Sequence, residues 1–426
     1  MNKRVFFCKQ LATWFFHTRW HYRTLLGAAI GCIDELPDDC DKLVNELLIQ
    51  HPLKPSQHDI ALFLQTSSRL IIWFRRPTTP NITRLNLESP VFFTKQPDHL
   101  HPSIHTLGDL ADWLGVSQSQ LHWFANIWRT DSATSDHLHH YHYQVLQKRD
   151  GRPRLIEKPK PTLKRLQRKI VDDILATLDT HPAAHGFCKD RNCLSHASLH
   201  VKKHYLFLFD IKDCFHSIGW APVKSQFTKL GYPESVSTCL TALCTHSVLQ
   251  PPQLRLFEPE QRERLRQRHL PQGAPTSPAL VNTVLHTLDL RLSALADKLG
   301  LSYSRYADDI AMSGNTHRDW RFLESVVGSI CLQEGVKLNY KKSRVKRPHQ
   351  KQRVTGIVVN SKTNVDRKYF DNLKAVLTNC TRHGLNSQNR HGHPNFRAHL
   401  LGRIQYVKSL NKNRGLKLEQ IYQQIK

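Results

Sequence analysis

The sequence lacks the features that mark several common protein classes. No uninterrupted apolar run approaches the ~18 residues that a membrane-spanning helix needs. The longest such stretches, 70–74 and 205–209, have the length of strands or core segments. No Walker or Rossmann glycine fingerprint is present, and no internal repeat is evident. An integral membrane protein, a glycine-loop nucleotide-binding domain and a repeat protein are therefore not expected.

Cysteine is sparse and scattered. The ten cysteines among 426 residues include no CxxC pair, which disfavours a zinc ribbon. Free thiols in a reducing cytosol are the simplest interpretation. The aromatic N-terminal stretch is interrupted by Lys9, His17 and Arg19, so it lacks the clean apolar core of a signal peptide. These observations predict a cytoplasmic protein.

Acidic residues are outnumbered by basic ones, 35 to 61, which gives a net charge of +26. Such a charge indicates an anionic partner, which would be nucleic acid, an acidic membrane surface or an acidic protein. The excess is concentrated in residues 148–169, predicted as a hairpin followed by a basic amphipathic helix, and in residues 337–353. At roughly 100–200 residues per domain, the chain has room for two to four domains.

Two local patterns have a functional and a structural interpretation. Residues 106–128 have the spacing of a helix-turn-helix, with Gly115 at the break and Ser117 as N-cap. The second helix has no arginine or lysine before Arg129, so a packed structural pair is favoured over DNA readout. Four histidines crowd into residues 137–142. No nearby cysteine or carboxylate completes a ligand set, so a solvated loop is favoured over a metal site.

Three carboxylates occupy positions where an ionised acid is costly. Residues 205–211 (YLFLFDI) read as a buried strand ending at Asp210. Residues 302–313 read as strand, turn and strand, with Asp308 and Asp309 at the turn and Arg305 as the only nearby cation. Three acids brought together by two central strands would be neutralised by two divalent cations, and oxygen ligands suit Mg²⁺.

Five stretches occur in a characteristic order: FLFDIKDCFHSI (207–218), LPQGAPTSPALVN (270–282), YADDIAMSG (306–314), GVKLNYKKSR (335–344) and RVTGIVVN (353–360). Together they resemble the palm of reverse transcriptases, most closely the bacterial retron type, from about residue 107 onwards. The resemblance implies an α+β right-hand polymerase fold with fingers, palm and thumb and a mostly helical N-terminal extension. The implied domains are an extension of unknown role (1–100), a helical pair with the fingers (101–205), the palm (206–360) and the thumb (361–426).

The resemblance also implies catalytic roles. Asp210 and Asp308 correspond to the two metal-bridging acids, and Asp309 to a third that is less directly coordinated. The backbone carbonyl of Ile211 would complete the coordination of two Mg²⁺ ions, with Mn²⁺ as an alternative. Lys342 corresponds to a lysine beside the leaving pyrophosphate, as proton donor or charge clamp.

Further residues correspond to those that hold the nucleotide. Arg154 and Lys148 lie on the implied fingers hairpin, where basic side chains grip the triphosphate, and Arg154 is the stronger candidate. Phe215 stands where an aromatic ring would clash with a ribose 2′-OH and so favour dNTPs, although a plain core role stays open. Gln272 and Gly273 correspond to contacts with the incoming nucleotide and the template.

Two signatures are typical of retron enzymes. The first, Val354-Thr355-Gly356, is intact. The second reads HASLH over 196–200, with His196 in place of the usual asparagine and His200 retained. These residues are implied to take part in RNA binding, and the substitution at His196 leaves the subtype open. The preceding AHGFCKDRN (184–192) also fits the family pattern.

The implied function is copying of a cognate structured non-coding RNA into single-stranded DNA from dNTPs in the bacterial cytoplasm. The resemblance also implies priming from a 2′-OH, a branched RNA–DNA product, and anti-phage defence with an effector protein encoded nearby. No membrane partner is expected. Alternatives are an abortive-infection or diversity-generating enzyme, or a group II intron protein, which is disfavoured because no maturase, HNH or zinc module follows 399–411. Outside enzymes, the alternative is a nucleic-acid-binding regulator acting through 106–128.

Overall fold

The computed structural model describes residues 3–18, 20–33, 37–80, 101–127, 139–148, 151–248 and 252–425. The chain divides into two compact units, Met1–Val91 and Phe92–Lys426. None of the helices formed by the described residues has the length and apolar character needed to cross a bilayer. The predicted domain boundaries stay predictions.

The N-terminal unit is helical, as predicted, and has its own hydrophobic core. Its helices are α1 (Lys3–His17), α2 (Tyr22–Cys32), α3 (Cys40–Gln50), α4 (Gln57–Thr66) and α5 (Ser68–Trp73). Every helix contributes buried apolar residues to this core. The buried indole of Trp73 donates to Asp39 (2.9 Å), and Arg69 pairs with Glu46 (2.7 Å), so polar contacts anchor α5 to α3 and the segment before it.

The pair of helices predicted over 106–128 is present as α6 (Leu107–Leu114) and α7 (Gln118–Ala125). Thr106 and Ser117 each form a capping box, in which the side chain accepts from the third amide of its helix. Gly115 ends α6 with a φ of 67°, which glycine adopts without strain. The apolar faces of both helices are buried in the largest core, so the pair is a packed structural element.

A β-hairpin and a basic helix follow, in the region predicted as fingers. Strands β1 (Tyr141–Gln147) and β2 (Pro153–Pro159) pair antiparallel and lead into α8 (Pro161–Asp173). Pro161 occupies the first turn of α8, where its missing amide proton costs nothing. Leu163, Leu166 and Ile170 are buried, which leaves the lysines and arginines of α8 on its outer face.

The central sheet has four antiparallel strands in the order β4-β5-β3-β6. Its strands are β3 (Tyr205–Asp210), β4 (Ser302–Tyr306), β5 (Asp309–Gly314) and β6 (Arg344–Lys346). The helices around it are α9 (Cys193–Ser198), α10 (Cys214–Ser217), α11 (Trp220–Lys229), α12 (Glu234–Cys244), α13 (Pro259–Arg266), α14 (Ser277–Val284), α15 (His286–Leu299) and α16 (Trp320–Gln333). Short 3₁₀ turns span Leu175–Thr177, Pro252–Leu256 and Leu385–Gln388.

The sheet is buried on both faces, which explains the continuous apolar run of β3. Phe207 and Phe209 pack into the largest core, whereas Leu206 and Leu208 contact the C-terminal core. Because successive side chains alternate between faces, Asp210 stands on the same face as Leu206 and Leu208.

The C-terminal region, predicted to end in the thumb, packs against that second face. It contains the short strands β7 (Arg353–Val354) and β8 (Ile357–Val358), then α17 (Arg367–His383), α18 (Phe396–Leu410) and α19 (Lys412–Gln423). The turn between the two strands places Thr355 and Gly356 at φ values of 44° and 83°. The buried faces of the three helices share one core with Leu206 and Ala311 of the sheet.

Candidate active site

The three predicted acids meet at one end of the central sheet. The register of β3 and β5 sets Asp210 directly opposite Asp309. The amide of Ile211 donates to the carbonyl of Asp308 (2.9 Å). Opposed residues of an antiparallel pair have Cβ atoms about 4.5–5.5 Å apart. Asp210 is buried, Asp308 is half-buried and Asp309 lies at the exposed rim, so the register gathers three carboxylates at the sheet edge.

The turn that carries Asp308 is held in a strained backbone conformation. Ala307 has a φ of 56°, in the left-handed region that residues other than glycine rarely adopt. Gly186 packs directly against this turn, because a methyl group there would lie 2.6 Å from the Ala307 amide nitrogen. The amide of His185 donates to the carbonyl of Arg305 (2.7 Å). The segment before α9 therefore braces the turn from outside the sheet.

Arg305, the cation nearest to the acids in the sequence, does not neutralise them. It pairs across the ladder with Ile310, so its side chain lies on the opposite face from Asp309. There its fully buried guanidinium makes a bidentate ion pair with Asp289 (2.6 and 2.8 Å). It also donates to the carbonyl of Ala307 (3.0 Å), so Arg305 positions the turn from beneath.

The carboxyl groups are short of compensating positive charge. Desolvation, followed by the nearby charges of Asp308 and Asp210, raises the pKa of Asp309 to about 6. Desolvation and Asp210 likewise raise the pKa of Asp308. The ammonium of Lys342 lies 2.6 Å from one carboxylate oxygen of Asp210, and the side-chain amide of Asn339 donates to the other (3.1 Å). One ammonium cannot balance three carboxylates, so this all-oxygen donor set fits divalent cations.

A cavity of about 340 Å³ opens beside the acids. It brings together two of the three acids, Asp210 and Asp309, with Lys342 and the Val-Thr-Gly signature, which are remote in sequence. Its lining residues are His196, Leu208, Phe209, Asp210, Asp309, Ile310, Ala311, Lys342, Arg344, Arg353, Val354, Thr355 and Gly356. The walls therefore carry two carboxylates, those of Asp210 and Asp309, and the basic side chains of Lys342, Arg344 and Arg353.

The two basic residues of the hairpin face the same end of the sheet. The ammonium of Lys148 lies 3.8 Å from a carboxylate oxygen of Asp213, three residues beyond the end of β3. Arg154 is exposed on β2. The positive charge of Arg154 acts to lower the pKa of Asp308, against the larger effects of desolvation and of Asp210, which raise it.

The predicted nucleotide contacts lie on α10 and on the loop that meets β2 of the hairpin. Phe215, on α10, is half-buried and its ring centroid lies 6.3 Å from that of Phe187. The carbonyl of Gln272 accepts from the amide of Glu157 on β2 (2.9 Å). Gly273 has a φ of 136°, and a Cβ there would lie 2.7 Å from the Glu157 carbonyl oxygen. Only glycine fits this approach to the hairpin.

Two of the residues implied in RNA binding have a structural role instead. His200 is completely buried, and its ring nitrogens pair with the hydroxyls of Ser304 and Ser313 (both 2.7 Å). It therefore bridges β4 and β5, and the expectation that it contacts RNA was wrong. Val354 is 1% exposed, so its side chain is a core residue even though its backbone borders the cavity. Thr355 and Gly356 are accessible at the turn.

Three positioning residues were missed by the reasoning from sequence. Asn339 and Gly186 lie within stretches that carry the family resemblance, but nothing in the pattern indicated that Asn339 would bond Asp210 or that Gly186 would touch the turn. Asp289 sits in the first turn of α15 with no sequence signal. Its role follows only from the packing of α15 beneath β4.

Comparison with known proteins agrees with this geometry. The family profile of the reverse transcriptases (RNA-dependent DNA polymerases) matches residues 146–359, half of the chain. The retron Mx65 reverse transcriptase of Myxococcus xanthus is 36% identical over 319 residues, which cover 74% of this chain and 71% of the relative. The retron Mx162 reverse transcriptase of the same organism is 38% identical, with 63% and 58% covered.

Among solved structures, telomerase from Candida albicans in complex with a fragment of telomeric RNA matches at 12% identity and a TM-score of 0.37. That match covers 66% of this chain and 56% of the telomerase. The identities to the two Myxococcus enzymes and the match to the family profile decide the assignment. The chain belongs to the reverse transcriptases, which are RNA-directed DNA polymerases, and within them to the retron type.

Proposed function

We propose that this enzyme copies part of a cognate structured non-coding RNA into single-stranded DNA at the site formed by Asp210, Asp308 and Asp309. The observation that carries the proposal is the register of β3 and β5, which sets Asp210 opposite Asp309 at the mouth of the cavity. Asp210 and Asp309 border this space together with the basic side chains that a nucleic-acid substrate needs.

Divalent-metal dependence is general in the family, and we propose two Mg²⁺ ions for this chain, with Mn²⁺ as an alternative. Asp210 and Asp308 would hold both ions, helped by Asp309 and the carbonyl of Ile211. Bound there, the ions would activate the attacking hydroxyl and stabilise the leaving oxygen of an in-line displacement. The raised pKa values of Asp308 and Asp309 support the assignment, because a dication would relieve the same repulsion.

The charged side chains around the acids would handle the triphosphate. Lys342, now paired with Asp210, would turn to the leaving pyrophosphate as proton donor or charge clamp. Arg154 would grip phosphate oxygens bidentately from β2, with Lys148 as a second positive charge. Phe215 would exclude a ribose 2′-OH, and Gln272 with Gly273 would contact the base pair being formed.

The RNA would be held mainly through its phosphates. Arg344, Arg353 and the turn at Thr355 and Gly356 border the cavity, and both arginines belong to the basic segment 337–353. The basic segment 148–169 would supply further phosphate contacts at the template entry. Phosphate contacts of this kind produce an affinity that falls steeply with salt. Selectivity for one RNA would come from its shape and its 2′-hydroxyls.

The retron relatives support a finer proposal for the product and its setting. Priming from a 2′-OH of the RNA would produce a branched RNA–DNA molecule in the bacterial cytoplasm. That product would act in anti-phage defence together with an effector protein encoded nearby.

The test is to sequence the DNA that the enzyme makes in cells carrying its gene and the adjacent non-coding region. The proposal expects one defined single-stranded copy of a neighbouring structured RNA, attached to that RNA through a 2′ linkage that a debranching enzyme removes. Cells with Asp308→Asn should lack the product, and cells with the exposed control Asp297→Asn should keep it. Random or protein-primed DNA would support an abortive-infection or diversity-generating enzyme instead.

A further inference from the structure

A second cluster of metal-ligating side chains lies behind the fingers–palm contact, and the polymerase chemistry does not use it. Glu157 of β2, His216 of α10 and His269 of the segment before Gln272 point their donor atoms at one place. All three side chains are buried or nearly so. The cluster draws on three separate parts of the chain, so it forms only when the hairpin packs against α10 and the segment that carries His269.

The spacing of the donor atoms suits a small tetrahedral ion. The Nε2 of His269 lies 3.1 Å from each oxygen of Glu157, and the Nε2 of His216 lies 3.3 Å from one of them. All three donors fall within 4.8 Å of one another. Ligands held about 2.0–2.1 Å from a tetrahedral Zn²⁺ are about 3.3 Å apart. Little movement is therefore needed to place an ion between them.

The imidazoles are also oriented as metal ligands are. The Nδ1 of His269 lies 2.8 Å from the carbonyl of Gln267, so this nitrogen carries the proton and Nε2 is directed at Glu157. A ligating histidine commonly donates its other N–H to a backbone carbonyl in this way. The Nε2 of His216 is buried and, although it lies 3.3 Å from a Glu157 oxygen, it makes no well-aligned hydrogen bond. A buried, unbonded imidazole nitrogen is costly unless something binds it.

We propose that Glu157, His216 and His269 bind one Zn²⁺ ion, with water as its fourth ligand, and that this ion fastens the hairpin to α10 and to the segment before Gln272. Two nitrogens and one carboxylate favour Zn²⁺ over the all-oxygen preference of Mg²⁺, so this site is chemically distinct from the acids of the sheet. The ion would take the place of the proton shared by His269 and Glu157, and that proton would leave to solvent. Because the backbone of Glu157 bonds Gln272, the ion would also steady the loop at Gln272 and Gly273.

The test measures the zinc content of the full-length protein after equilibration with micromolar ZnSO₄ and gel filtration. The wild type should retain one equivalent more than His216→Gln, His269→Asn or Glu157→Gln. His391→Gln, at an exposed histidine, should match the wild type and so control for surface binding. Asp308→Asn should also match the wild type, which separates this site from the catalytic acids.

Thermal unfolding supplies a second readout for variants that fold poorly. Added Zn²⁺ should raise the Tm of the wild type and of His391→Gln, and this rise should be lost in His216→Gln. Equal zinc content in the wild type and all three ligand variants would overturn the proposal. So would a wild type whose Tm does not respond to Zn²⁺.

Discussion

Gly186 lies against Ala307 so closely that a methyl group would come within 2.6 Å of the Ala307 amide nitrogen. The contact joins the segment before α9 to the turn that carries Asp308. Gly186→Ala should therefore displace the turn. We expect kcat to fall by about 10²-fold, the cost of a shift of about 1 Å at a reacting centre, with the fold retained.

The matched control is Gly402→Ala. Gly402 lies within α18, and a Cβ there meets nothing within 4 Å. Alanine should leave activity unchanged and stabilise α18 slightly. Wild-type kcat in Gly186→Ala would show that the turn does not depend on this contact.

The buried pair of Arg305 and Asp289 should be essential for stability. Asp289→Asn leaves the buried guanidinium without its counter-ion and weakens the bond from Tyr303 (2.6 Å). We expect a loss of about 3–5 kcal/mol in the free energy of unfolding, measured by urea denaturation. The exposed control Asp297→Asn should change it by less than about 0.5 kcal/mol. A similar small change in Asp289→Asn would contradict a positioning role for Arg305.

Replacing Asp309 with asparagine should stabilise the metal-free protein and abolish its activity. Its pKa is raised from 3.8 to about 6 in the folded protein, so its ionised form opposes folding. This penalty is fully present above pH 6 and disappears as the pH falls below the unfolded value. Asp309→Asn should therefore raise the Tm of the metal-free protein at pH 7.5 by about 1–3 °C while abolishing dNTP incorporation.

The pH dependence provides the check on that prediction. The difference in Tm between Asp309→Asn and the wild type should narrow when both are measured at pH 5, because the wild-type carboxyl is then mostly protonated. A variant that is less stable than the wild type at pH 7.5, or a difference independent of pH, would contradict the electrostatic explanation.

Phe215 should select dNTPs over rNTPs. Replacing the ring with alanine removes the proposed clash with the 2′-OH, so we expect discrimination in kcat/KM to fall about 10-fold or more. Single-nucleotide incorporation of dGTP and GTP measures the ratio. Phe322→Ala, at an exposed position on α16, is the control. Unchanged discrimination between dGTP and GTP would indicate that Phe215 is only a core residue.

The strands of the central sheet and the acids at their ends could be predicted because each is marked by a local sequence pattern. An apolar run ending in Asp210 marks a buried strand, and two adjacent acids between apolar stretches mark a turn. The packed pair of helices over 106–128 could likewise be predicted from the residues at its break and N-cap. Alternation along β4 would also have placed Arg305 on the face opposite the acids, since it shares that face with Ile310.

The remaining features depend on contacts between distant segments. Nothing in the sequence near His216 indicates that Glu157 and His269 lie beside it. The four histidines over 137–142 stand out in the sequence, but a solvated loop was favoured there over a metal site. His137 lies outside the described residues. His200 was predicted at an RNA surface because a signature motif does not reveal burial. Such assignments need the packed structure.

The most direct test of the central claim is dNTP incorporation by purified Asp308→Asn on an RNA template with saturating Mg²⁺. Incorporation should fall to background, whereas Asp297→Asn should keep wild-type activity and both variants should keep wild-type RNA affinity. Incorporation by Asp308→Asn at the wild-type rate would contradict the assignment of catalysis to the three acids.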